Sequence, residues 1–199
     1  MSLTVIPRAA DWISPDEYLE GERLAEVRHE YVDGRVYAMA GASDDHNRIA
    51  GNIFAELRER LRGHRCEPFI NDMKVKIPPA FADVYYYPDV LVACDPTDNA
   101  RYFRERPTVI FEVLSTETER TDRREKAIAY RQIPTVEAYV LIEQERMAAT
   151  ILRRTEPGWR SNLVEGPGSL LKLSDIGVEI PLERIYERTT LGGARASTG

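Results

Sequence analysis

The stretch that most restricts the fold is "PTVIFEVLS", residues 107–115. Val109, Ile110, Phe111, Val113 and Leu114 make it apolar in both alternating registers, so neither face is suited to water. Such a run reads as a central strand covered by helices, and the sheet that holds it needs a layer on each side. Glu112 stands inside the run. A carboxylate there requires a cation, a hydrogen-bond network or a proton. A second apolar run, "VLVA" at 90–93, follows Pro88 and Asp89 and so carries a carboxylate at its head. Asp is depleted in strands. Pro88 suits a strand start because it fixes φ and lacks a backbone donor. If the two strands are neighbours, Asp89 and Glu112 converge on one point. A hard divalent cation such as Mg²⁺ takes one or two carboxylates plus water and phosphate, so the pair reads as a metal site for phosphoryl chemistry. The alternative is a Glu112 that pairs with a nearby Arg or Lys, or that lies at an edge.

The remaining elements follow from local signals. Ser14-Pro15-Asp16-Glu17 gives a helix start, with a cap, proline at the first helical position and glutamate three residues after the cap. "HEYVDGRVYAMA" is a hairpin turned at Asp33-Gly34. "SDDHNRIAGNIFAELRERLRG" is a helix whose Ile49, Ile53, Leu57 and Leu61 form an apolar stripe. "EPFINDMKVKI" reads as one strand and "TETERTDRREKAIAYRQ" as a helix. "VEAYVLIE" and "MAATILRR" read as a strand hairpin. After Gly166 the only signal is a short helix near "PLERIYER". The expected architecture is α/β (α+β), a mixed sheet flanked by helices in a single domain spanning 1–199, with its core over about 12–185 and a frayed tail at 190–199.

Composition narrows the function classes. Hydrophobic content of 43% and charged content of 30% are those of an ordinary globular chain, and a net charge of −6 argues against nucleic-acid binding through overall charge. No apolar run reaches membrane-span length and the start lacks a signal-peptide core, so the expectation is a cytoplasmic protein with no membrane partner. Cys66 and Cys94 do not make a disulfide framework. With His29, His46 and His64 they give no tetrahedral zinc spacing. Ser115 lacks a nucleophile-elbow pattern.

Asp122, Lys126 and Tyr130 recur every fourth residue and share one helix face, from which a lysine could reach the carboxylates. The competing reading is a routine exposed Asp–Lys pair. Tyr85–Tyr87 could stack on bases or simply pack on a sheet. The basic loop "RYFRERP" could touch phosphates or stay solvated. Lys74 and Lys76 alternate on a strand beside the proposed site and are the substitutes for Lys126 if that side chain points away.

The stretches "HEYVDGRVYAMAGASDDHNRIAGNIFAELRERL", "YPDVLVACDP", "PTVIFEVLST" and "TDRREKAIAYRQIPTVEAYVLIE" together resemble the Uma2 family of proposed endonucleases, once a domain of unknown function, within the PD-(D/E)XK nuclease superfamily. The resemblance runs from about Trp12 to about Ile185. It implies a restriction-endonuclease-like core and a Mg²⁺- or Mn²⁺-dependent endonuclease that hydrolyses phosphodiester bonds in nucleic acid, DNA first among the choices. A homodimer follows by analogy with nucleases that cut two strands. Pro88-Asp89 matches the family's PD and Glu112 its second acid. The superfamily's usual E-x-K would put lysine at Leu114, so Lys126 on the next helix matches instead. Glu30, His46 and Tyr130 match further family positions. The implied metal ligands are Asp89, Glu112 and the Val113 carbonyl, with Glu30 assisting and Lys126 positioning the nucleophile or stabilising the transition state. The missing E-x-K and the acidic balance favour an alternative, a catalytically silent nucleic-acid or protein binding module on a nuclease scaffold.

Overall fold

The computed structural model describes residues 12–39, 41–78, 83–115 and 118–192. In chain order these form α1 (Pro15–Glu22), β1 (His29–Val32), β2 (Arg35–Ala38), α2 (Asp44–Arg60), β3 (Glu67–Ile70), β4 (Lys74–Ile77), β5 (Val84–Tyr86), β6 (Val90–Ala93), β7 (Phe103–Arg104) and β8 (Pro107–Val113). There follow α3 (Glu119–Thr121), a π-helical turn (Asp122–Lys126), α4 (Ala127–Arg131), β9 (Ala138–Ile142), β10 (Ala148–Arg154), β11 (Trp159–Glu165), β12 (Leu170–Leu173), β13 (Val178–Pro181) and α5 (Leu182–Ile185).

The α+β class holds, but the single mixed sheet divides into three. A six-stranded sheet runs β11-β10-β9-β8-β6-β3, a five-stranded sheet β2-β1-β5-β4-β7, and β12 pairs with β13. β8 lies inside the six-stranded sheet, antiparallel to β6 and parallel to β9. Its alternate side chains serve two cores. Val109, Phe111 and Val113 join the α2 stripe, Ile49, Ile53 and Leu57, in one cluster with Leu171, Ile180 and Ile185 from the C-terminal elements. Ile110 and Leu114 face the other way, into a cluster with Tyr86, Val75, Ala127 and Tyr130. The five-stranded sheet and α4 therefore cover the second face of the six-stranded sheet. A third cluster of Tyr18, Tyr31 and Tyr85 seats α1 on the five-stranded sheet. The α1 start has the full capping box, with Ser14 and Glu17 satisfying each other's backbone donors.

Two breaks move the chain between sheets. "EPFINDMKVKI" is not one strand. Asn71 adopts φ 56°, a left-handed conformation that asparagine tolerates, and sends β3 and β4 into different sheets. The chain returns through Tyr87–Asp89, between β5 in one sheet and β6 in the other. The Asn71 N–H donates to the Asp89 carbonyl at 2.9 Å and ties the two crossings together.

Three further expectations need correction. Cys66 and Cys94, separated by 28 residues, are joined by a disulfide, and they lie one position beyond the β3–β6 pair Glu67↔Ala93. A disulfide is unusual for the cytoplasmic setting expected above. The C-terminal region contains β11 and the β12–β13 hairpin besides the short helix. Thr190, placed in the frayed tail, is bound to Asp45 through its backbone N–H and hydroxyl. Residues 193–199 of that tail lie outside the described residues. Among the described residues no helix is long and apolar enough to cross a membrane.

Candidate active site

Asp89 ends the second crossing, one residue before β6. Extending the antiparallel pair Val90↔Phe111 by one position sets Asp89 opposite Glu112. Both share strand parity with the residues of the second core, so both point to the seam between the two larger sheets. They line one cleft of about 1010 Å³, together with Glu30, His46, Val113, Asp122 and Lys126.

Glu112 is buried, and its Oε1 accepts from Lys126 Nζ at 3.2 Å and from the Tyr130 hydroxyl at 3.0 Å. Lys126 sits at the end of the π-helical turn, a kind of bulge found often at functional sites. Its ammonium also lies 3.0 Å from Glu30 Oε1 and 3.3 Å from Asp122 Oδ1. The Asp122 contact is within ion-pair range but lacks hydrogen-bond geometry. Glu30 arrives from β1, where its Oε1 also accepts from the Tyr87 N–H at 3.3 Å. Asp89 Oδ2 accepts from the Val113 N–H at 2.7 Å and lies 3.4 Å from His46 Nε2.

Burial pushes the Glu112 carboxyl well above its usual range, with Lys126 opposing the shift. Burial also raises Asp89, against the pull of His46 and the Val113 N–H. For Lys126 burial disfavours the charge, but Glu112, Glu30 and Asp122 outweigh it and hold the amine as an ammonium well above the usual value. The ammonium is the favoured form of this side chain. It is the one cation that three adjoining carboxylates share, so discharging it would leave them uncompensated in a buried site.

The sequence therefore brings Asp89, Glu112, Lys126, Glu30, His46, Val113 and Tyr130 to one place. His46 is held at the helix start, where its backbone N–H donates to the N-cap Ser43 Oγ at 3.1 Å, while its ring lies beside Asp89. Lys74 and Lys76 are not there. The turn at Asn71 carries β4 away, and Lys74 donates to the Tyr87 hydroxyl at 2.9 Å, which donates to the buried Glu22 at 3.0 Å. Lys76 pairs with Glu105. Leu114 fills the E-x-K position with apolar packing. Asp122 was visible only as a member of the Lys126 helix face, yet it is among the most buried acids in the chain. Its backbone carbonyl accepts from the Tyr139 hydroxyl at 3.0 Å.

The donor set suits a hard cation. Four carboxylates, Glu30, Asp89, Glu112 and Asp122, face the single ammonium of Lys126. Asp89 Oδ1 and Glu112 Oε2 have no hydrogen-bond partner among the described residues. No group of three or more His, Cys, Asp or Glu side chains among the described residues forms a ready-made metal cage.

Comparison with known proteins places this arrangement in context. The Uma2 family model, described as "Putative restriction endonuclease", matches residues 15–183. An uncharacterized Synechocystis sp. protein, slr1290, is 33% identical over 175 residues, covering 87% of this chain and 91% of the relative. A second from the same organism, sll1609, is 37% identical over 131 residues, covering 64% of this chain and 73% of the relative. The fold is similar to the crystal structure of a "putative nuclease belonging to DUF820" from Anabaena variabilis, with a TM-score of 0.70 at 16% identity, over 87% of this chain and 97% of that one.

Proposed function

The chain belongs to the Uma2 family, and from that premise we propose that it is a metal-dependent endonuclease hydrolysing phosphodiester bonds in nucleic acid. The observation that carries the reading is the position of Lys126. Its ammonium touches Glu112 while Asp89 stands opposite Glu112, and this grouping supports the reading although the E-x-K is absent from the sequence.

Asp89 and Glu112 would hold the cation through their unpartnered oxygens, with the Val113 carbonyl as a third donor. When bound, a divalent cation acidifies water and neutralises charge on a phosphate oxygen. The chain's own residues do the rest. His46 and the Val113 N–H fix the Asp89 carboxylate, so little reorganisation is needed when it takes up a cation. The Tyr130 hydroxyl does the same for Glu112. Lys126 is held by Glu30, Glu112 and Asp122 and remains protonated, so its role is to stabilise negative charge developing on the phosphate rather than to accept a proton. Glu30 anchors that ammonium and the Tyr87 backbone, and so locks the second crossing on which Asp89 sits.

The test is a titration of the apo protein with Mn²⁺ and Mg²⁺, read by melting temperature, beside cleavage of labelled nucleic acid. Binding at a hundredfold excess over Kd should stabilise the protein by about 2.7 kcal/mol. Asp89→Ala should lose both the shift and the cleavage. Equal metal shifts in both proteins would remove Asp89 from the metal site. A metal shift without any cleavage would favour the silent binding module.

A further inference from the structure

The ten tyrosines of the chain divide unevenly. Tyr18, Tyr31, Tyr85, Tyr86, Tyr87, Tyr130, Tyr139 and Tyr186 are buried. Tyr102 is exposed but covered by guanidinium groups, with Arg23 at 5.5 Å and Arg101 at 5.4 Å from its ring centroid. Tyr37 differs from all of these. It is 51% exposed and lies near enough to the Tyr86 hydroxyl to act on it electrostatically, but among the described residues it makes no hydrogen bond, ring stack or cation–π contact. It lies on β2, an edge strand whose residues are all exposed.

Its position is set by the hairpin. Register pairs Tyr37 with Glu30, the residue that grips Lys126. Directly opposed residues project to the same side of a sheet with Cβ atoms about 5 Å apart. The free aromatic therefore stands at the lip of the cleft, above the proposed reacting groups, and it lines that cleft.

The charge of the cleft says what an aromatic there is for. Among the described residues its wall carries Glu30, Asp72, Asp89, Glu112, Asp122 and Glu125 against Arg28 and Lys126 as permanent cations. Arg28 is paired with Asp72 and Lys126 with its carboxylates. Phosphates neutralised by Lys or Arg supply the salt-dependent part of nucleic-acid affinity, and both cations of this cleft are already paired with carboxylates. Its volume is at the upper end of small-ligand pockets, which run to roughly 1,000 Å³. Stacking needs no positive charge and works on any base.

We propose, building on the endonuclease reading, that the substrate is an unpaired stretch of nucleic acid, and that Tyr37 is the platform on which a base beside the scissile phosphate stacks. Tyr37 is a binding and positioning residue, outside the reacting groups. Affinity rests on stacking and on one or two neutralised phosphates, so salt weakens it little.

The experiment measures anisotropy of short fluorescein-labelled DNA and RNA oligonucleotides, single-stranded and as duplexes, with wild type, Tyr37→Phe and Tyr37→Ala in Ca²⁺ to hold the site without turnover. Tyr37→Ala should weaken single-strand binding roughly 5- to 150-fold, the range that one stacked base is worth. Tyr37→Phe should bind like wild type. The slope of log K against log salt should be shallower than about −2, since few phosphates are neutralised. Melting temperatures of both variants should match wild type, because the side chain is exposed. Single-strand binding unchanged in Tyr37→Ala overturns the stacking role and leaves the endonuclease reading standing. Tighter binding of duplex than of single strand overturns the substrate class. A Tyr37→Ala protein that loses a dimeric state assigns the ring to a subunit contact and also overturns the proposal. Wild type that binds neither form sinks the endonuclease reading together with it.

Discussion

Replacing Lys126 with methionine isolates the electrostatics of the cluster. The side chain is buried, and methionine keeps its unbranched apolar stem while removing the charge. Three carboxylates at 3.0, 3.2 and 3.3 Å then lose their shared cation. Breaking a buried ion pair by removing one partner costs about 3–5 kcal/mol, a large part of a domain stability of about 5–15 kcal/mol. The cost should depend on pH in a definite direction. Glu112 already has a folded-state value raised by burial, and loss of Lys126, the group that opposes the shift, raises it further. A carboxyl that holds its proton in the folded state but not in the unfolded state makes stability fall as pH rises from the unfolded value to the folded one. One such proton gives a slope of about 1.4 kcal/mol per pH unit. The Lys126 ammonium itself contributes nothing to the slope here, because its own raised value leaves it charged throughout this range. Urea unfolding of metal-free wild type and Lys126→Met, across a series from mildly acidic to mildly alkaline buffer, checks this. The penalty should be largest in alkaline buffer and shrink on acidification. A penalty under about 1 kcal/mol in alkaline buffer, or one that does not change with pH, would refute the shared-cation account.

Leu57 is fully buried in the cluster that joins α2 to the six-stranded sheet, so Leu57→Ala should cost about 2–5 kcal/mol by urea unfolding, and a loss under about half a kcal/mol would contradict the packing. Tyr130→Phe removes one of the two donors to Glu112 Oε1 and should cost about 1.5–3 kcal/mol in the metal-free protein, with an intact near-ultraviolet circular dichroism spectrum. A dithiol reductant should lower the melting temperature, since the Cys66–Cys94 link closes a loop spanning 28 residues, for which the chain-entropy model gives about 3–4 kcal/mol. Thiol titration of the unreduced, denatured protein that finds two free cysteines would show the link is not formed.

The site was more legible than the frame that carries it. Asp89 and Glu112 stand out because each interrupts or heads an apolar strand, where a carboxylate needs a physical reason. Spacing of four put Asp122, Lys126 and Tyr130 on one face, and all three meet around Glu112. The pairing of Glu30 with Tyr37 could have been counted from the two-residue turn at Asp33-Gly34. The division into separate sheets could not be read. Polar and apolar residues continue through Asn71-Asp72 without a turn cluster, and only the left-handed backbone of Asn71 separates β3 from β4. Lys74 and Lys76 were misplaced for the same reason. β11 is an exposed strand with little apolar alternation, so periodicity gave no signal for it. The disulfide depends on the β3–β6 register, which sets Cys66 across from Cys94.

The seam between the two larger sheets has a consequence for how the molecule loses activity. Glu30 hangs from the five-stranded sheet, Asp89 and Glu112 from the six-stranded one, and Lys126 spans the gap. The larger core lies on the far face of the six-stranded sheet and gains nothing from that gap. A partial opening of the seam would separate Glu30 from Lys126 while α2 and the strands beneath it keep their packing. Such sub-global openings need less free energy than complete unfolding. On gentle heating, inactivation should therefore run ahead of the loss of helical signal. Amide exchange would fail first in β1 and β5, while those of β8 and β9 remain protected.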